Sequence, residues 1–335
     1  MMPSSPETTP HPHHAPVRNL AIWYRRFGDP EQVLQLEQAP LAPVGAAELQ
    51  VRMLYAPVNA SDLIPVTGAY GHRVIPPQVA GYEGVGIVTN APAEYRGLLG
   101  KRVLPLRGQG TWQSVVACEP QWAIPVPDAI DDPLAARGYI NPLAALLMLK
   151  QHPPAGKHLL LTAAGSDCAL LLGQWALRQG ALSVSGVHRS PAHAPRLAAC
   201  GITPIRQTDS AAIVRAAACA DLVFDATGGE LAQALLAALP AHADFVCYGL
   251  LSGRPFHQLQ PLPRVHWFHI RNTLGAITGP QWQALFGDIW PLLASSIISA
   301  SRHVALADWQ QAIRLYSQGG RAVRPLLVMP PLLLP

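Results

Sequence analysis

Apolar and polar positions divide the chain into a β-rich first third and a middle in which strands and helices alternate. Leu20–Tyr24 is a short apolar run, Gly28-Asp29-Pro30 a turn, and Val33–Leu36 a resumed strand. Leu49–Ala56 alternates apolar and polar side chains, as a half-buried strand does. Gly81–Asn90 mixes glycine with β-branched residues and predicts a strand pair or barrel edge, and Arg102–Leu106 and Trp112–Val116 add two strands. The character changes near Asp131. Leu134–Lys150 reads as one helix with an internal Asn-Pro, His158–Thr162 as a buried strand, and Ala169–Gln179 as an amphipathic helix stopped by Gly180. Strands at Leu182–Val187, Leu222–Ala226 and Asp244–Leu250 then alternate with helices at Pro195–Ala199, Ala211–Ala218 and Leu231–Leu239. This β-α-β-α order implies an α/β fold with a doubly wound parallel sheet. A helix at Trp309–Gln318 and a strand at Val323–Val328 close the pattern.

Composition narrows the class. The 335 residues are 50% hydrophobic and 13% charged, enough apolar material for two globular domains. The net charge of +4 is scattered, with no Lys/Arg block, which disfavours nucleic acid and suits an anionic small molecule. No apolar run reaches the length of a membrane span. The five cysteines show no CxxC spacing, so neither a disulfide framework nor a structural zinc lobe is expected, and reduced thiols in a cytoplasmic protein are. Residues 1–16, rich in Pro, Ser, Thr and His, lack the apolar core of a signal peptide and read as a disordered lead-in. Within them His11, His13 and His14 are a potential metal cluster, disfavoured against a solvated tail.

The segment 158–190 carries the first chemical signal. A buried strand runs into the small-residue turn Ala163-Ala164-Gly165-Ser166 and then a helix, where backbone N–H groups and the helix N-terminus can meet a pyrophosphate. A NAD enzyme places an acid at the end of the second strand; here the residues are His188, Arg189 and Ser190. Arg189 can grip a ribose phosphate bidentately, with His188 and Ser190 beside it, so NADPH is the expected cofactor. Asp167 is awkward in this turn, because its charge would repel a pyrophosphate; pointing to solvent or capping the helix are the expected resolutions.

The motifs VRMLYAPVNASDLIPVTGAYG (51–71), VAGYEGVGIV (79–88), GTWQSVVA (110–117), INPLAALLML (140–149) and FDATGGEL (224–231) resemble the medium-chain dehydrogenase/reductase superfamily. The resemblance is greatest to its zinc-free branch, first to 2-enoyl thioester reductases of mitochondrial type and then to quinone oxidoreductases. It implies a GroES-like β-rich substrate domain (17–133 and 296–335) interrupted by a Rossmann domain (134–295). Zinc-dependent relatives carry Cys and His where Asn59 and Tyr82 stand, so no metal is expected. The resemblance makes Tyr70, in Gly68-Ala69-Tyr70-Gly71, the donor to the enolate formed on reduction, since a phenol stays protonated at neutral pH. It turns Asn59 toward the nicotinamide or substrate. Gly228 and Tyr248-Gly249 each follow a predicted strand, placed on the cofactor side or else as turn glycines chosen for backbone conformation; Asn141 and Cys168 are further cofactor-side candidates, with Gly165, Ser166 and Asp167. Two departures stand out: Ala144 where the family has a threonine, and Ala276-Ile277 where it has a Phe-Trp pair, with Trp267 or Trp282 as substitutes.

The expected function is therefore NADPH-dependent, metal-free reduction of an activated carbon–carbon double bond, in an enoyl thioester or an α,β-unsaturated carbonyl. A quinone reductase is the alternative, and a catalytically idle nucleotide-binding interaction protein a second. The expected partners are a small-molecule substrate and a second copy of the chain, joined at a sheet edge near Arg264–Leu274.

Overall fold

The structure is a computed structural model and describes residues 18–331. The expected lead-in, with its three histidines, lies outside the described residues, as do the last four positions. In chain order the first part contains β1 (Arg18–Tyr24), α1 (Pro30–Val33), β2 (Leu34–Pro40), β3 (Leu49–Pro57), α2 (Ala60–Leu63), β4 (Gln78–Val79), β5 (Val85–Asn90), β6 (Arg102–Pro105), β7 (Val115–Cys118) and β8 (Ala123–Pro125). Next come α3 (Asp132–Ala135), α4 (Ile140–Gln151), β9 (His158–Leu161), α5 (Asp167–Arg178), β10 (Ser183–His188), α6 (Ala194–Ala199), β11 (Thr203–Arg206), α7 (Ser210–Ala218), β12 (Leu222–Asp225), α8 (Gly229–Ala238), β13 (Asp244–Cys247), β14 (Arg264–Trp267), α9 (Ile270–Leu274) and α10 (Gly279–Ala294). The chain ends with β15 (Ala300–Ala305), α11 (Trp309–Ser317) and β16 (Val323–Val328).

The middle strands form a six-stranded sheet in the order β11-β10-β9-β12-β13-β14, all parallel. Numbered from β9, this is the 3-2-1-4-5-6 order of a dinucleotide-binding fold, in which ligands sit outside the carboxyl ends of the strands where the order reverses. Here the reversal lies between β9 and β12. The first-part strands form a three-stranded sheet, β2-β1-β4, and a seven-stranded one, β15-β16-β3-β5-β6-β8 with β7 on β3. The final strand β16 runs antiparallel to β3 and parallel to β15, so the C-terminal segment completes the β-rich lobe.

Apolar side chains explain the layering. β9, β12 and β13 read as near-continuous apolar runs because a parallel sheet is covered on both faces. α4 is buried from Pro142 through Leu149, as expected of a helix that is apolar all round. β3 alternates buried and part-buried residues with Leu49, Val51 and Met53 fully inside.

Two expected elements come out differently. The helix expected over Leu134–Lys150 is two, α3 and α4, separated at Arg137-Gly138-Tyr139. A Cβ on Gly138 would lie 2.8 Å from the Trp290 ring, and the Glu83 carboxylate accepts from Tyr139 N and Ile140 N (3.2 and 2.7 Å). A side chain more than fifty residues upstream thus supplies the cap that starts α4, and Pro142 costs no hydrogen bond in its first turn. The strand pair expected at Gly81–Asn90 is a loop followed by the single strand β5. Gly81 takes φ +91° because Trp112 and Thr111 fill the space where its Cβ would be.

Candidate active site

The candidate residues stand at the carboxyl ends of the parallel strands and on segments of the β-rich lobe. The turn from β9 to α5 is tight: Ala163 sits at φ +46°, and Ser166 caps the helix, its Oγ accepting from Ala169 N at 3.3 Å. Gly186 on β10 admits this turn, since a Cβ there would lie 2.7 Å from that of Ala164. Gly165 faces the His193 ring, 2.5 Å from the place its own Cβ would take. The next turn, after β12, is pinned by buried Asp225. Its carboxylate accepts from Thr162 Oγ1, Thr227 N and Gly228 N, and Thr162 Oγ1 accepts from Ala226 N. Tyr248 and Gly249 follow β13, with the Tyr248 phenol pushed well above its ordinary pKa by burial.

Asp167 neither points to solvent nor caps the helix. Its side chain is buried, and Oδ2 lies 3.1 Å from Arg324 Nη2 and 3.3 Å from Arg137 Nη2, while Oδ1 accepts from Ser299 N at 3.0 Å. Burial alone would push its pKa up; the two guanidiniums and the Ser299 N–H outweigh burial and hold it far below the usual carboxylate range. The charge that looked misplaced beside a pyrophosphate is thus neutralised from the β-rich lobe, because Arg324 belongs to β16.

Asn59 is also buried. Its Nδ2 donates to Glu83 Oε1 at 2.7 Å, and Arg324 Nη1 reaches its Oδ1 at 3.5 Å. One polar chain therefore runs Glu83–Asn59–Arg324–Asp167–Arg137, from the start of α4 through the β-rich lobe to the start of α5. Asp62 supports it, accepting from Asn59 N and Tyr82 N (2.8 and 2.9 Å). Of the remaining expected cofactor-side residues, Asn141 lies part-buried in the first turn of α4. Cys168 is buried, its thiol pushed up to about 12 by desolvation. His188 is buried with Nδ1 2.8 Å from Ser190 O, whereas Arg189 is exposed. Within this trio Arg189 is the side chain free to reach a phosphate.

Tyr70 lies at the seam between the lobes. It follows Gly68, at φ +90°, and its carbonyl accepts from Arg73 N and Val74 N. The Arg73 guanidinium lies 4.3 Å from the centre of its ring, and His269 meets the ring edge-on at 6.0 Å. Arg73 Nη2 is 3.3 Å from His269 Nε2, and Arg271 lies 5.3 Å from the Tyr82 ring centre. Burial raises the pKa of the Tyr82 phenol above its ordinary value. Of the proposed pocket tryptophans, Trp282 is a core residue: it is fully buried against Tyr139 and Phe286, its Nε1 donating to Trp122 O at 3.1 Å. Trp267 stacks on Phe256 at 5.2 Å, on the edge strand β14.

The arrangement fits a polyanionic dinucleotide. Arg137 and Arg324 flank Asp167 at the start of α5, and Arg196 donates to Ser299 Oγ and Ala322 O nearby. Among the described residues, Arg137 Nε and His193 Nδ1 are buried without a hydrogen-bond partner. Glu83, Arg137, Arg324, Arg73 and His269 were not singled out from the sequence. Glu83 stood in the quoted GYE motif; the others carried no local signal.

Comparison with known proteins agrees with this fold. Residues 45–128 match the family model of the alcohol dehydrogenase GroES-like domain. A crystal structure of a Bacillus thuringiensis protein described as an NADPH:quinone reductase superposes with a TM-score of 0.86 at 33% identity, covering 93% of this chain and 99% of that one. The Escherichia coli quinone oxidoreductase, solved with NADPH, has the same fold, with a TM-score of 0.82 at 21% identity over 92% of this chain and 99% of that one. The bovine (Bos taurus) mitochondrial enoyl-[acyl-carrier-protein] reductase is 38% identical over 136 residues, 40% of this chain, and the match spans 36% of the bovine protein's length. The chain belongs to the zinc-free branch of the medium-chain dehydrogenase/reductase superfamily.

Proposed function

We propose that the protein is an NADPH-dependent reductase of an activated carbon–carbon double bond, acting on an enoyl thioester or an α,β-unsaturated carbonyl. The observation that carries this reading is the seam itself. A phenol, Tyr70, lies under the Arg73 guanidinium and against His269, which follows β14 of the parallel sheet. NADPH, when bound, supplies the hydride. Arg189 would hold its ribose phosphate, and the N-terminus of α5 would face its pyrophosphate.

The protein's own part in the chemistry is positioning and proton supply. Negative charge develops on the substrate carbonyl oxygen as hydride arrives at the β-carbon, and a hydrogen-bond donor aimed at that oxygen lowers the barrier. Tyr70 is the proposed donor, with the Arg73 guanidinium stacked over its ring. Asn59 is a positioning residue, since Glu83 and Arg324 hold its amide. No zinc ligand is needed, because the polarising role falls to the phenol.

Quinone reduction by the same hydride is the second reading, favoured by the likeness to the Bacillus protein, which extends over nearly the whole chain. Among the described residues the edge strand β14 has a neighbour on one side only, and Leu262 and Trp267 are exposed, which supports pairing with a second copy. Free thiols at all five cysteines support a reducing, cytoplasmic setting. Among the described residues no helix is long and apolar enough to cross a membrane.

The test is NADPH oxidation followed with crotonyl-CoA, a simple enone and a quinone in parallel. Turnover of the thioester or enone supports the first reading. Turnover of the quinone alone assigns the second, and cofactor binding without turnover of any acceptor refutes both.

A further inference from the structure

At the opposite end of the parallel sheet from the cleft, three side chains from three elements converge. His152 is the residue that ends α4, Asp244 opens β13, and His266 stands on the edge strand β14. Their ligating atoms all lie within 4.8 Å of one another. His266 Nε2 is 2.9 Å from Asp244 Oδ1, and the two imidazole rings are 4.7 Å apart between centres. All three residues are part-buried, so the group is neither fully solvated nor sealed.

We propose that His152, Asp244 and His266 bind a divalent transition-metal ion of the zinc class, at a site separate from the cofactor cleft. Two imidazoles and one carboxylate are the ligand chemistry that Zn²⁺ takes at ~2.0–2.2 Å. Those bond lengths put tetrahedral ligand atoms about 3.3 Å apart, so the present spacing needs a contraction of at most ~1.5 Å, within reach of side-chain rotation. The competitor is Arg264, whose Nε lies 3.0 Å from Asp244 Oδ1; it is largely exposed and can turn outward. Three protein ligands leave a fourth tetrahedral position for water or an external donor. The ion would tie the end of α4 to the two outer strands of the sheet.

The full chain carrying H11A, H13A and H14A, which removes the competing histidine cluster, is titrated with Co²⁺ and then Zn²⁺. The expected result is one ion per chain, a visible Co²⁺ spectrum without the intense thiolate band that cysteine ligation would give, and a higher unfolding temperature with Zn²⁺. H152Q and H266Q, which keep side-chain bulk, should each weaken binding by more than the roughly 10–100-fold typical of losing an outer partner. R264Q, which frees Asp244, should bind Zn²⁺ several-fold more tightly. Equal Zn²⁺ affinity in the parent, H152Q and H266Q overturns the proposal, as does substoichiometric binding or a thiolate band.

Discussion

Replacing Asp167 by Asn tests the polar chain that joins the two lobes. The carboxylate lies between Arg137 and Arg324, at 3.3 and 3.1 Å, with all three side chains less than a tenth exposed. Asn keeps the shape and an acceptor for Ser299 N, and removes only the charge. Two buried guanidiniums then face each other uncompensated. Removing one partner of a buried pair costs about 3–5 kcal/mol, because the desolvation already suffered by the other is no longer offset. With a urea slope of ~3 kcal/mol/M, the unfolding midpoint should fall by about 1–2 M. Asp167 has its folded pKa depressed, so its contribution is present above the unfolded carboxylate value and is lost as pH falls through the folded one. The gap between wild type and D167N should therefore be full at neutral pH and close only below the usual carboxylate range. Sulfate, binding the orphaned arginines, should restore D167N more than it stabilises wild type. The double variant D167N/R324Q should be less destabilised than the sum of its parts. A D167N midpoint matching that of wild type, or strict additivity in the double variant, would refute this account of Asp167.

Two further outcomes follow from the same geometry. R189A should raise KM for NADPH about 10- to 100-fold, the worth of a charge-assisted hydrogen bond of roughly 1.5–3 kcal/mol, and leave NADH little changed; parallel losses with both cofactors in steady-state kinetics would remove Arg189 from the phosphate site. E83Q should cost about 1–3 kcal/mol in denaturant unfolding, because an amide cannot accept from Asn59 Nδ2, Tyr139 N and Ile140 N at once with the oxygens now used.

The alternation of strands and helices made the parallel sheet legible, because β9, β12 and β13 carry their burial in consecutive apolar residues. The tight turn between β9 and α5 was legible for a similar reason: its small residues are consecutive. What escaped was set by partners distant in sequence. Asp167 made no local sense because Arg324, which explains it, lies 157 residues downstream. The break between α3 and α4 is imposed by Glu83 and Trp290, and nothing in Arg137-Gly138-Tyr139 alone announces it. Trp282 looked available for a pocket because an aromatic in a helix reads the same whether it faces a ligand or, as here, a cluster of other rings.

The most direct test of the central claim is the turnover of crotonyl-CoA with NADPH by wild type and by Tyr70→Phe at equal concentration, with cofactor affinity measured alongside. Loss of a donor made only in the transition state should lower kcat about 10²- to 10³-fold, with NADPH binding intact. Undiminished kcat in the phenylalanine variant would contradict the account and leave Tyr70 a structural residue of the seam.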